Sequence, residues 1–163
     1  APGMHGANAT GRPFTGDYAG ILLYRTLYDF GFSNQPESVA RDDGLQLTNC
    51  RITNAVKCLP PQNKPLTEEI RQCNGFLRRE LAELPAGAIV LALGKIAHDA
   101  VLRASDLRLS AHPFGHGNLH QLDNDLTLID SYHCSRYNTQ TRRLTAEMFS
   151  EIFRLASSRL ALQ

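Results

Sequence analysis

The stretch that decides the fold is Ala88-Ile89-Val90-Leu91-Ala92-Leu93, followed by Gly94. Six apolar residues in nearly unbroken succession, ending at a glycine, are typical of a strand that is buried on both faces of a parallel sheet. Such a strand needs helices on both sides of the sheet. The residues before and after it should therefore read as helices.

The residues on either side agree with that expectation. Upstream, Thr67-Glu68-Glu69 combines a capping hydroxyl with acidic residues in a first helical turn. The helix that follows presents an apolar face and stops near Pro85. The remaining predicted elements are a first loop over residues 1–17, a helix from Tyr18 to Phe30, a strand from Cys50 to Lys57, a short helix from Ile96 to Leu102, a strand from Leu126 to Ile129 and a last helix from Leu144 to Leu160.

Alternation of strands and helices predicts an α/β sandwich with a parallel sheet. In such sheets ligands bind beyond the carboxyl ends of the strands. This rule selects three segments as candidate site regions: the residues from Asn54, those from Gly94, and those from Asp130 to Asn138. Residues 1–163 contain no repeat or linker, so we expect a single domain.

Composition excludes several classes of protein. The 163 residues are 42% hydrophobic and 20% charged, as in ordinary globular domains. No apolar run is long enough to span a bilayer, and the glycine-rich start does not read as a signal peptide. The net charge of +1 means that any nucleic-acid contact must use a local patch. Four scattered cysteines favour a reducing compartment over a disulfide scaffold.

Three segments carry a family resemblance, in order and at plausible separations. They are APGMHGANATGRPFTGD at residues 1–17, ITNAVKCLPPQNKP at residues 52–65 and SYHCSRYNTQT at residues 131–141. Each resembles a signature of the fifth family of uracil-DNA glycosylases, the iron–sulfur branch of that superfamily. The resemblance implies a three-layer α/β/α sandwich around a mainly parallel four-stranded sheet, whose first strand we expect upstream of Ala1.

The resemblance also implies a monofunctional glycosylase that releases uracil, and other deaminated bases, from DNA during base-excision repair. Such an enzyme must hold an extruded nucleotide in a shaped pocket. Phe14 is a candidate to stack on the base, and the Asn54 amide is a candidate to read its edge. Without the resemblance, Phe14 would be an ordinary core aromatic and Asn54 a turn residue. The implied base pocket comprises Ala1, Gly3, His5, Phe14 and Asn54.

The implied catalytic set is Asn8, Asn54 and His133. His133 would donate to the base oxygen on which negative charge develops, an oxyanion-type contribution. Asn8 would position water, since the first motif has no matching carboxylate and Asp17 reads more simply as a helix cap. Bond cleavage is then expected to precede the addition of water. His98, His112, His116 and His120 are expected to be structural.

Further residues are expected to contact the DNA backbone. The implied set is Lys64, Ser135, Arg136 and Asn138, with Lys57 also expected to meet phosphate. Tyr137 stands where relatives carry glutamine and is a candidate to stack on a neighbouring base.

Cys58 and Cys73 match two cluster-binding cysteines of the family. A [4Fe–4S] cluster normally takes four thiolates, so two further ligands are expected upstream of Ala1. Cys50 and Cys134 are poor replacements, and Cys134 stands where relatives carry proline. Without the resemblance, Cys73 would be a buried structural thiol on an apolar helical face.

Two other hypotheses remain at this point. One is a degenerate glycosylase-like domain that binds DNA or a nucleotide without cleaving it. The other is a different α/β enzyme of nucleotide metabolism, which the lack of a phosphate-binding glycine motif disfavours. The family resemblance implies that the protein is a monomer, that it acts on DNA containing uracil or other deaminated bases, and that it is found in the prokaryotic cytoplasm.

Overall fold

The computed structural model describes residues 7–57 and 66–162. Among these residues the chain forms six α-helices, three strands and a short 3₁₀ turn at Leu109–Ala111. In chain order they are α1 (Ala7–Thr10), α2 (Tyr18–Asp29), α3 (Thr67–Ala82), β1 (Ile89–Leu93), α4 (Lys95–Ala104), β2 (Leu119–Gln121), β3 (Thr127–Ser131), α5 (Arg136–Gln140) and α6 (Ala146–Leu160).

The sheet confirms a strand at residues 89–93, but only Ala92 of that strand is fully buried, whereas all five residues of β3 are buried. β1 pairs in parallel with β3, from Ile89 opposite Thr127 to Leu93 opposite Ser131. β2 adds to the other side of β3 and is antiparallel, so the strand order is β1-β3-β2. Because β1 and β3 are parallel and in register, their carboxyl ends lie at the same edge of the sheet.

Side chains alternate across the sheet, as the two-residue period of a strand requires. Ala92 and Leu128 pack with α3 and α4 on one face. On the other face Leu91 packs with α2 and α6, and Ile129 packs with α6. Helices thus cover both faces, which confirms the α/β/α layering.

Three local predictions were wrong. Residues 1–17 were expected to be loop throughout, but Ala7–Thr10 form a helical turn. Thr67 does not cap α3: the cap residue is Leu66, whose backbone N–H donates to the Glu69 carboxylate at 2.7 Å. The last helix begins at Ala146 rather than Leu144, because the Thr145 hydroxyl accepts the Met148 amide and caps it.

The predicted strand from Cys50 to Lys57 is also absent over its described residues. Val56 is fully buried and Ile52 packs against the core formed by α2 and α6. The apolar spacing therefore reflected packing rather than a ladder of backbone hydrogen bonds. In the described ranges, no helix has the length and apolar character needed to cross a membrane.

Candidate active site

The candidate site lies at the edge where β1 and β3 end. β1 passes through Gly94 into α4, while β3 passes through Tyr132 to His133. The backbone N–H of Gly94 donates to the Ser131 carbonyl at 2.8 Å, which keeps the two strand ends together. The sequence rule that placed a site beyond the carboxyl ends therefore selected the region that holds His133.

Gly94 allows His133 to approach the backbone closely. Its φ of +97° is a conformation that side chains rarely adopt, and a Cβ atom built there would lie 3.2 Å from the His133 Cβ. Glycine at this position therefore permits both the positive φ and the close approach of the His133 side chain. The His133 side chain consequently lies against the residue that precedes α4.

The loop after β3 is fixed by its own polar side chains. The Asn138 amide donates to the His133 carbonyl at 2.8 Å. The Ser135 hydroxyl in turn accepts the Asn138 backbone N–H and caps α5. Both residues were predicted to contact DNA, and in the structure both have roles in holding the His133 backbone.

Phe14 lies beside His133, with ring centroids 5.9 Å apart and planes tilted by 38°. Its φ of 56° is in the left-handed region, which is unfavourable for a phenylalanine and is often found at functional sites. The Tyr24 hydroxyl donates to the neighbouring Pro13 carbonyl at 2.7 Å. The chain therefore holds Phe14 in a strained conformation against the histidine.

His133 is disposed to be neutral. Burial disfavours the imidazolium form and lowers the pKa of His133 below its ordinary value of 6.5, although Asp17 acts in the opposite sense. A neutral imidazole retains one N–H and can donate it to an oxygen that gains negative charge. Asp17 itself caps α2, since its carboxylate accepts the Gly20 amide at 2.9 Å, as the sequence indicated.

Asn8 and Asn54 line the same cleft. This cavity has a volume of about 270 Å³, and its other lining residues include Pro13 and Lys57. Asn8 lies on α1 and Asn54 on the segment that follows Cys50, so two predicted catalytic residues line one cavity although 46 positions separate them in the sequence. The chain passes directly from Pro13 of this cleft to Phe14, beside His133.

Lys57 is paired within the protein. Its ammonium group donates to both carboxylate oxygens of Glu80 at 2.9 Å. The expectation that Lys57 meets phosphate is therefore not supported by its position. Ala1, Gly3, His5, Cys58 and Lys64, which the sequence also selected, lie outside the described residues.

Arg136 and Tyr137 form the exposed end of the site. The Arg136 guanidinium lies over the Tyr18 ring, with its central carbon 5.6 Å from the ring centroid. Tyr137 is 70% exposed at the start of α5. Arg136 and Tyr137, three and four residues after His133, therefore place a cation and an exposed aromatic ring close to it in the sequence.

The described cysteines differ sharply in their surroundings. Cys73 is buried on α3, and its sulfur accepts the Lys57 backbone N–H at 3.4 Å. Cys134 is fully buried, and burial raises the pKa of its thiol to about 12. Burial also raises the pKa of Cys50, whose thiol donates to the Phe32 carbonyl. Cys50 and Cys134 are therefore poor thiolate donors, as expected.

A buried polar cluster around Asp130, near the end of β3, was not singled out from the sequence. Asp130 accepts from His98 at 2.7 Å and from His120 at 3.0 Å, and all three side chains are buried. The other nitrogen of His98 donates to the His112 carbonyl at 2.9 Å.

These three side chains could also be considered as metal ligands. Ligand atoms around a tetrahedral zinc ion lie roughly 3.3 Å apart, given metal–nitrogen bonds of about 2.0–2.1 Å. The contacts of 2.7 and 3.0 Å are instead the lengths of hydrogen bonds. The cluster therefore ties α4 and β2 to the end of β3, in agreement with the structural role expected for these histidines.

Comparison with known proteins places these features in a family. Residues 1–156 match the family described as the uracil DNA glycosylase superfamily. The chain is 50% identical to the type-5 uracil-DNA glycosylase of Thermus thermophilus over 161 residues, which are 99% of this chain and 73% of that protein. It is 42% identical to the type-5 enzyme of Pyrobaculum aerophilum over 158 residues, 97% of this chain and 68% of the relative.

A more distant likeness is to the type-4 uracil-DNA glycosylase of Archaeoglobus fulgidus. The identity is 28% over 165 aligned residues, covering 98% of this chain and 75% of the relative. All three likenesses extend over nearly the whole chain. They therefore include the core as well as the segments around Asn8, Asn54 and His133.

Proposed function

Because the chain belongs to the uracil-DNA glycosylase superfamily, we propose that it is a monofunctional enzyme that hydrolyses the N-glycosidic bond of uracil in DNA. The observation that carries this proposal is the contact between the half-buried His133 and the strained Phe14 at the carboxyl edge of the sheet. This pair offers a hydrogen-bond donor beside an aromatic face. An extruded pyrimidine needs both.

In this proposal the base enters the site after leaving the DNA stack. Phe14 stacks on its ring, and the Asn54 amide donates to and accepts from its polar edge. Ala1, Gly3 and His5 complete the pocket by analogy with the family. A carbonyl and an N–H lie side by side on the edge of uracil, and a primary amide is complementary to that pair.

Bond cleavage leaves the electron pair of the C–N bond on the base, and an oxocarbenium-like sugar remains. His133 donates its N–H to the base oxygen on which the charge develops, which stabilises the departing base. Water then adds to the sugar carbon, positioned by Asn8 in the cleft that Asn54 also lines. The commitment of Asp17 to capping α2 supports a route without a carboxylate base.

DNA contacts in this proposal lie around the same edge. Arg136 and Lys64 meet phosphates, and Tyr137 stacks on a base next to the extruded one. Ser135 and Asn138 act mainly by holding the loop, given their bonds to its backbone. The domain comprises the whole chain and acts as a monomer on DNA in the cytoplasm, and the length of the family match supports the single domain.

We also propose that Cys58 and Cys73 contribute two thiolates to a [4Fe–4S] cluster. The Lys57 amide contacts the Cys73 sulfur, and Lys57 directly precedes Cys58 in the sequence. This adjacency supports assigning both cysteines to one cluster. When bound, the cluster would supply a covalent tie between the residues after Asn54 and α3.

The cysteine proposal predicts a visible change. Protein purified together with any residues that precede Ala1 should be brown, and Cys58→Ser or Cys73→Ser should each abolish its visible absorbance and bound iron. Cys134→Ser is the matched control, since that thiol is buried and held protonated. Retention of colour and iron in both Cys58→Ser and Cys73→Ser would rule out the ligand assignment.

The proposed activity predicts that uracil leaves a DNA duplex while the strand stays intact. A lyase would need a lysine to attack the sugar, whereas Lys57 is paired with Glu80. Gel analysis before and after alkali is the measurement: cleavage should follow alkali only. Strand cleavage without alkali would contradict the monofunctional assignment. Binding without any release of base would favour the degenerate DNA-binding domain.

A further inference from the structure

Residues 51–57 carry Asn54 into the cleft without the support of a sheet. Within the part of the chain that the structure describes, no backbone–backbone hydrogen bond joins this segment to the rest of the protein. Val56 is buried, and Ile52 and Ala55 pack against the core, but apolar contacts are non-directional and do not fix the direction of a neighbouring amide. Other bonds must therefore hold Asn54 in place.

A single carboxylate on α3 supplies most of those bonds. Glu80 accepts from the Thr53 hydroxyl at 3.0 and 3.2 Å and from the Lys57 ammonium at 2.9 Å on each oxygen. Arg51 lies 3.0 Å from the same carboxylate. Lys57 also hydrogen-bonds Thr53. One acidic side chain thus gathers three side chains that flank Asn54 on both sides.

These bonds are charge-assisted and partly shielded. The Glu80 side chain is 23% exposed. Burial raises its pKa, but the hydrogen bonds from Lys57 and Thr53 outweigh burial and keep the pKa below its ordinary value. A carboxylate that accepts from cationic donors forms shorter and stronger bonds than a neutral acceptor does.

The same helix holds the segment at a second point. Cys73, seven residues before Glu80 on α3, accepts the Lys57 backbone N–H. Seven residues are about two helical turns, so both side chains lie on one side of the helix. The segment that carries Asn54 is therefore held at one end by Cys50, which packs against the core, and at the other by the contacts of Cys73 and Glu80 on α3.

We propose that Glu80 is a positioning residue for Asn54: its carboxylate holds Arg51, Thr53 and Lys57, and so fixes the amide between them against the base. This inference rests on the proposed function. Glu80 itself touches neither base nor sugar. Its effect on the reaction must pass through Asn54.

The test is a double-mutant cycle on uracil release. Glu80→Gln keeps the size of the side chain but removes its charge, and we expect it to slow single-turnover release about 10–100-fold, as a small misplacement of a contacting group does. Asn54→Ala should slow release as well. If Glu80 acts through Asn54, adding Glu80→Gln to Asn54→Ala should change the rate by less than about twofold.

Glu83→Gln is the matched control. Glu83 directly follows α3, and its side chain is 70% exposed. Its ion pair with this segment joins its carboxylate to the Arg51 guanidinium at 3.7 Å. Its substitution should leave the rate unchanged. Thr53→Val offers a second route if Glu80→Gln unfolds, since it removes one hydroxyl beside Asn54 and should show the same lack of additivity.

The outcomes separate the two proposals. Equal slowing by Glu80→Gln in the presence and absence of the Asn54 amide would overturn the positioning role and leave the glycosylase intact. A wild-type rate in Glu80→Gln would do the same. Absence of uracil release by the unaltered protein would overturn the proposed function, and this inference with it.

Discussion

Replacing His133 with alanine is expected to slow uracil release about 10²–10³-fold, the usual effect of removing one donor from an oxyanion-type site. DNA affinity should change little, because the imidazole is packed against Phe14 and Gly94 rather than spread over the surface. The measurement is the single-turnover rate on a uracil-containing duplex, together with the dissociation constant. Cleavage at the wild-type rate would make His133 structural and the mechanism wrong.

Arg136→Ala provides the contrast within the same loop. Its guanidinium rests on the exposed Tyr18 ring and should act on phosphate alone. We expect weaker binding, a salt slope smaller by about one, and little loss of rate in saturated complexes. A domain that only binds DNA would show no catalytic defect in either variant.

The acid limb of activity provides a further check on His133. Because its pKa lies below 6.5, the neutral donor should persist to lower pH than an ordinary histidine would allow. The rate should therefore be insensitive to the ionisation of His133 as pH falls to 6.5, and any change due to this residue should begin only as pH passes through the lowered pKa. The residual rate of the alanine variant should lack that change.

The second large effect is expected at Gly20 in α2. A Cβ atom built there would lie 1.9 Å from the Phe14 carbonyl oxygen, a distance that no side-chain movement can relieve because the obstacle is backbone. Gly20→Ala should lower the free energy of unfolding by about 3 kcal/mol or more. It should also slow uracil release, because Phe14 must leave its position beside His133.

Gly75→Ala is the matched control, since Gly75 lies within α3 and a Cβ built there meets nothing within 4 Å. Alanine should raise the free energy of unfolding by about 0.5–1 kcal/mol through helix propensity alone. Chemical denaturation of the two variants measures the difference. Equal stability of both variants would contradict the close approach of Gly20 to Phe14.

The elements that sequence patterns predicted well are those whose apolar spacing and backbone pairing coincide. Residues 89–93 are apolar throughout and form β1, and α2 ends at Asp29, within one residue of its predicted limit. Residues 50–57 show why the rule fails elsewhere. Their apolar residues do pack inward, but polar side chains reaching α3 replace the ladder that would have made them a strand.

The candidate site was predictable only in part. His133 was selected by the motif resemblance and by the rule for strand ends, whereas Asn54 was selected by the resemblance and by a predicted strand that the structure lacks; both patterns act along the chain. The roles of Glu80 and of the His98–Asp130–His120 cluster depend on contacts between residues 10 to 32 positions apart. No local pattern encodes such contacts. Likewise, nothing in the sequence assigns Asn138 to the His133 carbonyl rather than to DNA.

The attachment of residues 51–57 bears on how such an enzyme can diverge. A reading residue built into a central strand can move only if the sheet moves, and that disturbs the hydrophobic core. Here Asn54, the proposed reading residue, is flanked by polar side chains that pair with a carboxylate on one helix. If Asn54 reads the base as proposed, substitution at Arg51, Thr53 or Glu80 should change its orientation while the core stays intact.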